Sequence, residues 1–173
     1  MMLQKLNLLI SAFALVALLA YAPTTLHADE ALTAGEGEAI PMTVHKSPTC
    51  GCCVKWVDHM EAAGFTVDLN HPDDLLALKD GNGIPANSRS CHTGITGSGY
   101  VFEGHVPAKF VLQFLADPPE GAIGLAVPAM PLGSPGMEVG DRFTPYDVQL
   151  LKADGTTEVF AHVGTAAEQY AGS

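Results

Sequence analysis

The sequence predicts a single-domain α/β fold, and three observations carry the prediction. Between residues 42 and 83, stretches with strand and helix periodicity follow one another as strand, helix, strand, helix. Short helical crossovers of that kind join their strands as a parallel pair with a right-handed connection. Near the C-terminus, Asp154-Gly155 separates two strand-like runs, which is a hairpin signal.

Met42-Thr43-Val44-His45-Lys46 alternates apolar and polar groups and predicts the first strand, which Ser47-Pro48-Thr49 breaks. Residues 53–63 carry Cys53, Trp56, Val57 and Met60 at helical spacing, with Gly64 as the stop. Trp56 and Met60 are expected to pack against the sheet. Phe65-Thr66-Val67-Asp68-Leu69 predicts a second strand, and Pro72-Asp73-Asp74 opens a short helix through Leu75, Leu76 and Leu78 that ends at Gly81-Asn82-Gly83. Residues 84–99 show no period and read as irregular. Tyr100 to Glu103 predicts a strand and residues 108–115 a helix, with Phe110, Val111, Phe114 and Leu115 on its apolar side and Asp117-Pro118-Pro119 ending it. Residues 117–142 are rich in Pro and Gly and read as a long wrap or loop. Residues 146–151 and 157–162 form the two arms of a C-terminal β-hairpin extension, and residues 164–173 a polar tail.

The chain has 173 residues, 47% hydrophobic and 16% charged, with 19 acidic against 8 basic side chains and a formal charge of -11. That balance disfavours nucleic acid and anionic lipid and mildly concentrates cations near the protein. Residues 1–28 have a lysine-bearing start, an apolar run from Leu8 to Ala22 and small residues before Asp29, the pattern of a cleaved secretory signal peptide. The apolar run is shorter than the roughly 20 residues of a spanning helix. Cleavage after Ala28 leaves 145 residues and a charge of -12, because only Lys5 is lost. Residues 29–40 then form a flexible acidic leader to a domain at 41–163, and no membrane partner is expected after cleavage.

All four cysteines lie in this exported part, as Cys50-Gly51-Cys52-Cys53 and the distant Cys91. Cys50 and Cys53 stand in C-x-x-C register where the first strand gives way to the first helix, the placement of a dithiol redox pair, since a helix N-terminus stabilises a thiolate. Cys52 is one sulfur more than such a pair needs. Three sulfurs within four residues form a soft, crowded donor set suited to Cu(I), whereas zinc sites separate their paired ligands by two to four residues. Structural disulfides are the other reading, and the oxidised form is expected to join Cys50, Cys52 or Cys53 to Cys91.

The motifs Ser47-Pro48-Thr49-Cys50-Gly51-Cys52-Cys53, Trp56, Ser90-Cys91-His92-Thr93, Tyr100 to Ala108, Val127 to Pro131 and Gly133 to Glu138 together resemble the DUF411 family of exported, CopG-type copper-resistance proteins. The resemblance covers residues 42–163 and departs at none of the four cysteines. It implies a thioredoxin-like fold, a periplasmic setting, copper at Cys50, Cys52, Cys53 and Cys91, and a copper-dependent redox role with a periplasmic copper-handling or electron-transfer protein as partner.

Among the other candidates, His105 follows Gly104, which permits close backbone approach, and His92 follows Cys91; an imidazole from either suits Cu(II) or proton transfer. His105 is the preferred of the two as a metal ligand. Met130 and Met137 offer soft thioethers but suit gap-filling under a loop, and Lys46 and Lys55 flank the cysteines. Three functions remain open on the residues: a copper site with redox cycling, a thiol-disulfide oxidoreductase using Cys50 and Cys53, and a passive copper store.

Overall fold

The computed structural model describes residues 39–170, so the signal-peptide reading of residues 1–28 and most of the leader lie outside the described residues. Among the described residues there are seven strands: β1 Ile40–Lys46, β2 Phe65–Asn70, β3 His92–Thr96, β4 Val101–Glu103, β5 Ala122–Ala126, β6 Tyr146–Lys152 and β7 Thr157–Val163. Three α-helices, α1 Gly51–Ala62, α2 Leu75–Gly81 and α3 Ala108–Ala116, connect them. The strands make one mixed sheet in the order β2-β1-β3-β4-β5-β6-β7. The β1/β2 and β4/β5 pairs are parallel and the rest antiparallel. The fold is therefore mixed α/β.

Strand β1 alternates as its sequence does. Met42, Val44 and Lys46 are buried on one face while Thr43 and His45 are half-exposed on the other. Helix α1 lays Cys53, Trp56, Val57 and Met60 against the sheet, and Trp56 and Met60 are fully buried. The Trp56 indole Nε1 donates to the Val106 carbonyl at 2.8 Å, so the largest side chain of the core carries no unpaired polar atom. Asp74 caps α2 by accepting from the Ala77 amide at 2.9 Å. His59 does the same for α3, its Nε2 accepting from the Ala108 amide at 2.9 Å. Phe114 of α3 meets Tyr100 and Phe102 edge to face, at 5.0 and 5.7 Å between ring centroids.

Two segments differ from the sequence expectation. Residues 84–99 are not irregular throughout, because β3 runs through them between β1 and β4. Its sequence, His-Thr-Gly-Ile-Thr, carries one large apolar group, and the strand is held by neighbours on both sides rather than by its own pattern. Residues 117–142 likewise contain β5, whose Gly124 and short length hide it among prolines and glycines. Beyond β7, Ala166–Gln169 forms a 3-10 turn that buries Gln169.

Candidate metal centre

Cys50 is the N-cap of α1 and Cys53 lies one turn into it, so the helix itself brings the two together with Cα atoms 5.5 Å apart. They are joined in a disulfide, and Cys52 and Cys91 are free thiols. The expected oxidised pairing to Cys91 is thus corrected. The i, i+3 geometry of a first helical turn already places Cys50 and Cys53 within disulfide reach, with no backbone movement required.

Each free thiol sits against one sulfur of the disulfide. Cys52 Sγ lies 3.5 Å from Cys50 Sγ, and Cys91 Sγ lies 3.5 Å from Cys53 Sγ. The four sulfurs fall within 4.8 Å of one another. Cys91, His92 and His105 form a second group of the same tightness, so Cys91 belongs to both. Its Sγ is 3.2 Å from His105 Nε2 and 3.3 Å from His92 Nδ1.

The second half of the site is assembled by the sheet. Cys91 immediately precedes β3, His92 opens it, and His105 follows β4, which pairs with β3 in antiparallel register. Gly104, at φ +72°, lets the two segments touch: a Cβ there would stand 2.5 Å from Ser90 Cβ and 2.6 Å from the Val127 carbonyl oxygen. Beneath Cys91 lies a buried ion pair, Lys79 with Glu103, both essentially without solvent exposure. Glu103 also accepts from the Ser90 amide at 2.6 Å and from the Thr93 hydroxyl at 2.6 Å, which ties the backbone before Cys91 to the sheet. Burial pushes the Glu103 carboxyl up, and Lys79 opposes that shift.

The 127–138 segment closes the site from above. Gly136 packs so tightly on the start of α1 that a Cβ would meet the Cys52 carbonyl oxygen at 2.7 Å and the Trp56 amide nitrogen at 2.8 Å. The neighbouring Pro135 carbonyl can only accept, so His105 Nδ1, at 2.7 Å, carries the proton and donates to it. His105 Nε2 therefore bears the lone pair and faces Cys91. Burial pushes the His105 pKa down, and holds His92 well below the ordinary imidazole range with help from His105, Lys79 and Lys46. Both rings are neutral at neutral pH. Burial, and then the adjacent Cys52, push the Cys91 thiol up to about 11, so Cys91 keeps its proton until a cation replaces it. His92 Nε2 is buried without a hydrogen-bond partner.

Of the residues singled out in the sequence, the structure brings Cys50, Cys52, Cys53, Cys91, His92 and His105 into one cluster. Met130 is 49% exposed, and Lys46 is buried with its Nζ donating to the Ser47 carbonyl at 2.9 Å, so it is not a solubilising surface lysine. Reasoning from sequence missed Glu103 and Pro135. A carboxylate inside an otherwise apolar strand, Val101-Phe102-Glu103, is the signal that marks the first; nothing marks the second.

A family model described as "Protein of unknown function, DUF411" matches residues 88–137. Two solved structures titled as copper resistance protein CopG are similar over nearly their whole length. Form 2 is 42% identical and covers 73% of this chain and 99% of its own, with a TM-score of 0.69. Form 1 is 42% identical and covers 73% and 98%, with a TM-score of 0.68. The chain belongs to the DUF411, CopG-type family. The DUF411 segment contains Cys91, His92, His105 and Pro135, the half of the cluster that the sheet and the closing loop assemble. No curated protein matches the chain.

Proposed function

We propose that this protein is an exported, periplasmic copper-resistance protein that binds Cu(I) through Cys50, Cys52, Cys53 and Cys91, with His105 as a further ligand and room for more than one ion. The observation that carries the reading is the donor set: four sulfurs lie within 4.8 Å of one another, and Cys91, which belongs to that group, also faces the unprotonated Nε2 of His105, a soft combination that selects Cu(I) over hard cations. The orphaned His92 Nε2 adds a buried polar atom that core packing leaves unexplained. Names of the two similar structures support copper; the -11 charge favours cation capture.

The topology supports a thioredoxin-like core with a C-terminal extension. Strand order β2-β1-β3-β4, with β3 alone antiparallel within it and the cysteine turn at the start of α1, forms that core; β5, β6 and β7 extend it. Four-thiolate binding requires the Cys50–Cys53 disulfide to be reduced. Reduced Cys50 and Cys53 can also supply one electron to each of two Cu(II) ions, closing the disulfide and releasing two protons and two Cu(I), which gives the protein a redox role. Copper here is cargo.

A thiol-disulfide oxidoreductase is the second reading, favoured by the disulfide at a helix N-terminus. Cys52→Ser separates the two. The variant is expected to bind Cu(I) far more weakly while its Cys50–Cys53 couple still exchanges with a small-molecule dithiol; unchanged copper affinity would move the function to disulfide exchange.

A further inference from the structure

The C-terminal turn at Ala166–Gln169 buries a polar side chain that no reading of the cysteines uses. Gln169 is 1% exposed. Its Nε2 donates to the Gly133 carbonyl at 2.8 Å, and its Oε1 accepts from the Tyr146 hydroxyl at 2.7 Å. The amide orientation is unambiguous, because the Gly133 carbonyl only accepts and must face the nitrogen. Burial pushes the Tyr146 phenol up, so it stays protonated and available as donor.

Gly133 opens a turn that is tied together by its own hydrogen bonds. Its amide donates to the Met137 carbonyl at 2.9 Å, Met137 N donates to the Ser134 carbonyl at 2.7 Å, and the Ser134 hydroxyl donates to the Pro131 carbonyl at 2.7 Å. Pro135 sits at the centre of that turn, and its carbonyl is the acceptor that fixes the His105 tautomer. The Gly133 carbonyl that Gln169 holds and the Pro135 carbonyl that His105 meets thus belong to one hydrogen-bonded turn. We propose that Gln169 is a positioning residue for the metal centre: through the 133–137 turn it holds His105 in the tautomer whose Nε2 lone pair faces Cys91. The inference rests on the reading of His105 as a copper ligand for its functional meaning, though not for its geometry.

Long-range proton–nitrogen correlation spectra of the metal-free, reduced protein report which imidazole nitrogen is protonated. His105 is expected to show Nδ1–H and a bare Nε2. Gln169→Met, which keeps length and loses both hydrogen bonds, is expected to show mixed tautomers at His105 and a Cu(I) affinity lower by about 10-fold, as for other outer partners of a ligating histidine. Tyr146→Phe, the gentler change, is expected to shift the spectrum the same way by less. A His105 tautomer unmoved in Gln169→Met, or in Tyr146→Phe should the first variant not fold, overturns the proposal whatever happens to thermal stability. A moved tautomer with unchanged copper affinity keeps Gln169 as the positioning residue and removes His105 from the ligands.

Discussion

The two halves of the sulfur cluster are built in different ways. Cys50, Cys52 and Cys53 come from one helical turn, and local geometry alone brings them together. Cys91, His92 and His105 meet only because β3 pairs with β4, a glycine permits contact, and Glu103 and Pro135 hold the flanking atoms. The first half takes its geometry from the helix, although Gly136 of the closing loop packs on it, whereas the second depends for its geometry on a buried ion pair and on that loop. Changes near the second half should therefore cost more than changes near the first.

The largest effect on folding is expected from Lys79→Met. It strands the buried Glu103 carboxylate beneath Ser90 and Cys91, a loss of about 3–5 kcal/mol of unfolding free energy by the usual cost of breaking a buried pair. Urea denaturation measures it, and a loss below about 1 kcal/mol would show that the pedestal under Cys91 is dispensable. Gly104→Ala comes next, at about 1–3 kcal/mol from overpacking against Ser90 and Val127. On the first half, Val54→Ser, a substitution at an exposed position of α1, should stay within about 0.5 kcal/mol. A Val54 effect equal to that of Gly104 would erase the contrast.

Protons sharpen the comparison further. The folded Cys91 pKa is raised above its ordinary value near 9.0 to about 11, so the protonated native state gains stability that is fully present below about pH 9 and is lost as pH climbs towards 11. Metal-free protein titrated through that window should soften, and Cys91→Ser should flatten the curve. Copper binding must displace the same proton, so affinity should rise with pH across neutrality. A wild-type stability curve that stays level from pH 9 to 11 would contradict the burial of this thiol.

The same division explains what the sequence made legible. Helix α1, with Trp56 and Met60 inward and the cysteines at its start, follows from spacing within twelve residues. Strand β3 does not, because Gly94 and two threonines dilute its pattern and its place is fixed by β1 and β4. Strand β5 is masked in the same way. His105 was recognisable beside Gly104, yet its tautomer depends on Pro135, 30 residues away, and no local pattern encodes that contact. The strain of bridging the adjacent Cys52 and Cys53 points from sequence to Cys91 as the oxidised partner, whereas the one-turn spacing that α1 imposes joins Cys50 to Cys53.

Anaerobic titration of the fully reduced protein with Cu(I), against a competing chelator and beside the Cys50–Cys53 disulfide form, tests the central claim most directly. The account predicts tight binding of at least one equivalent by the reduced protein, and an affinity weaker by more than about 100-fold, beyond the cost of losing an outer-shell partner, in the disulfide form and in Cys91→Ser. Copper left entirely with the chelator by the reduced wild type would contradict it.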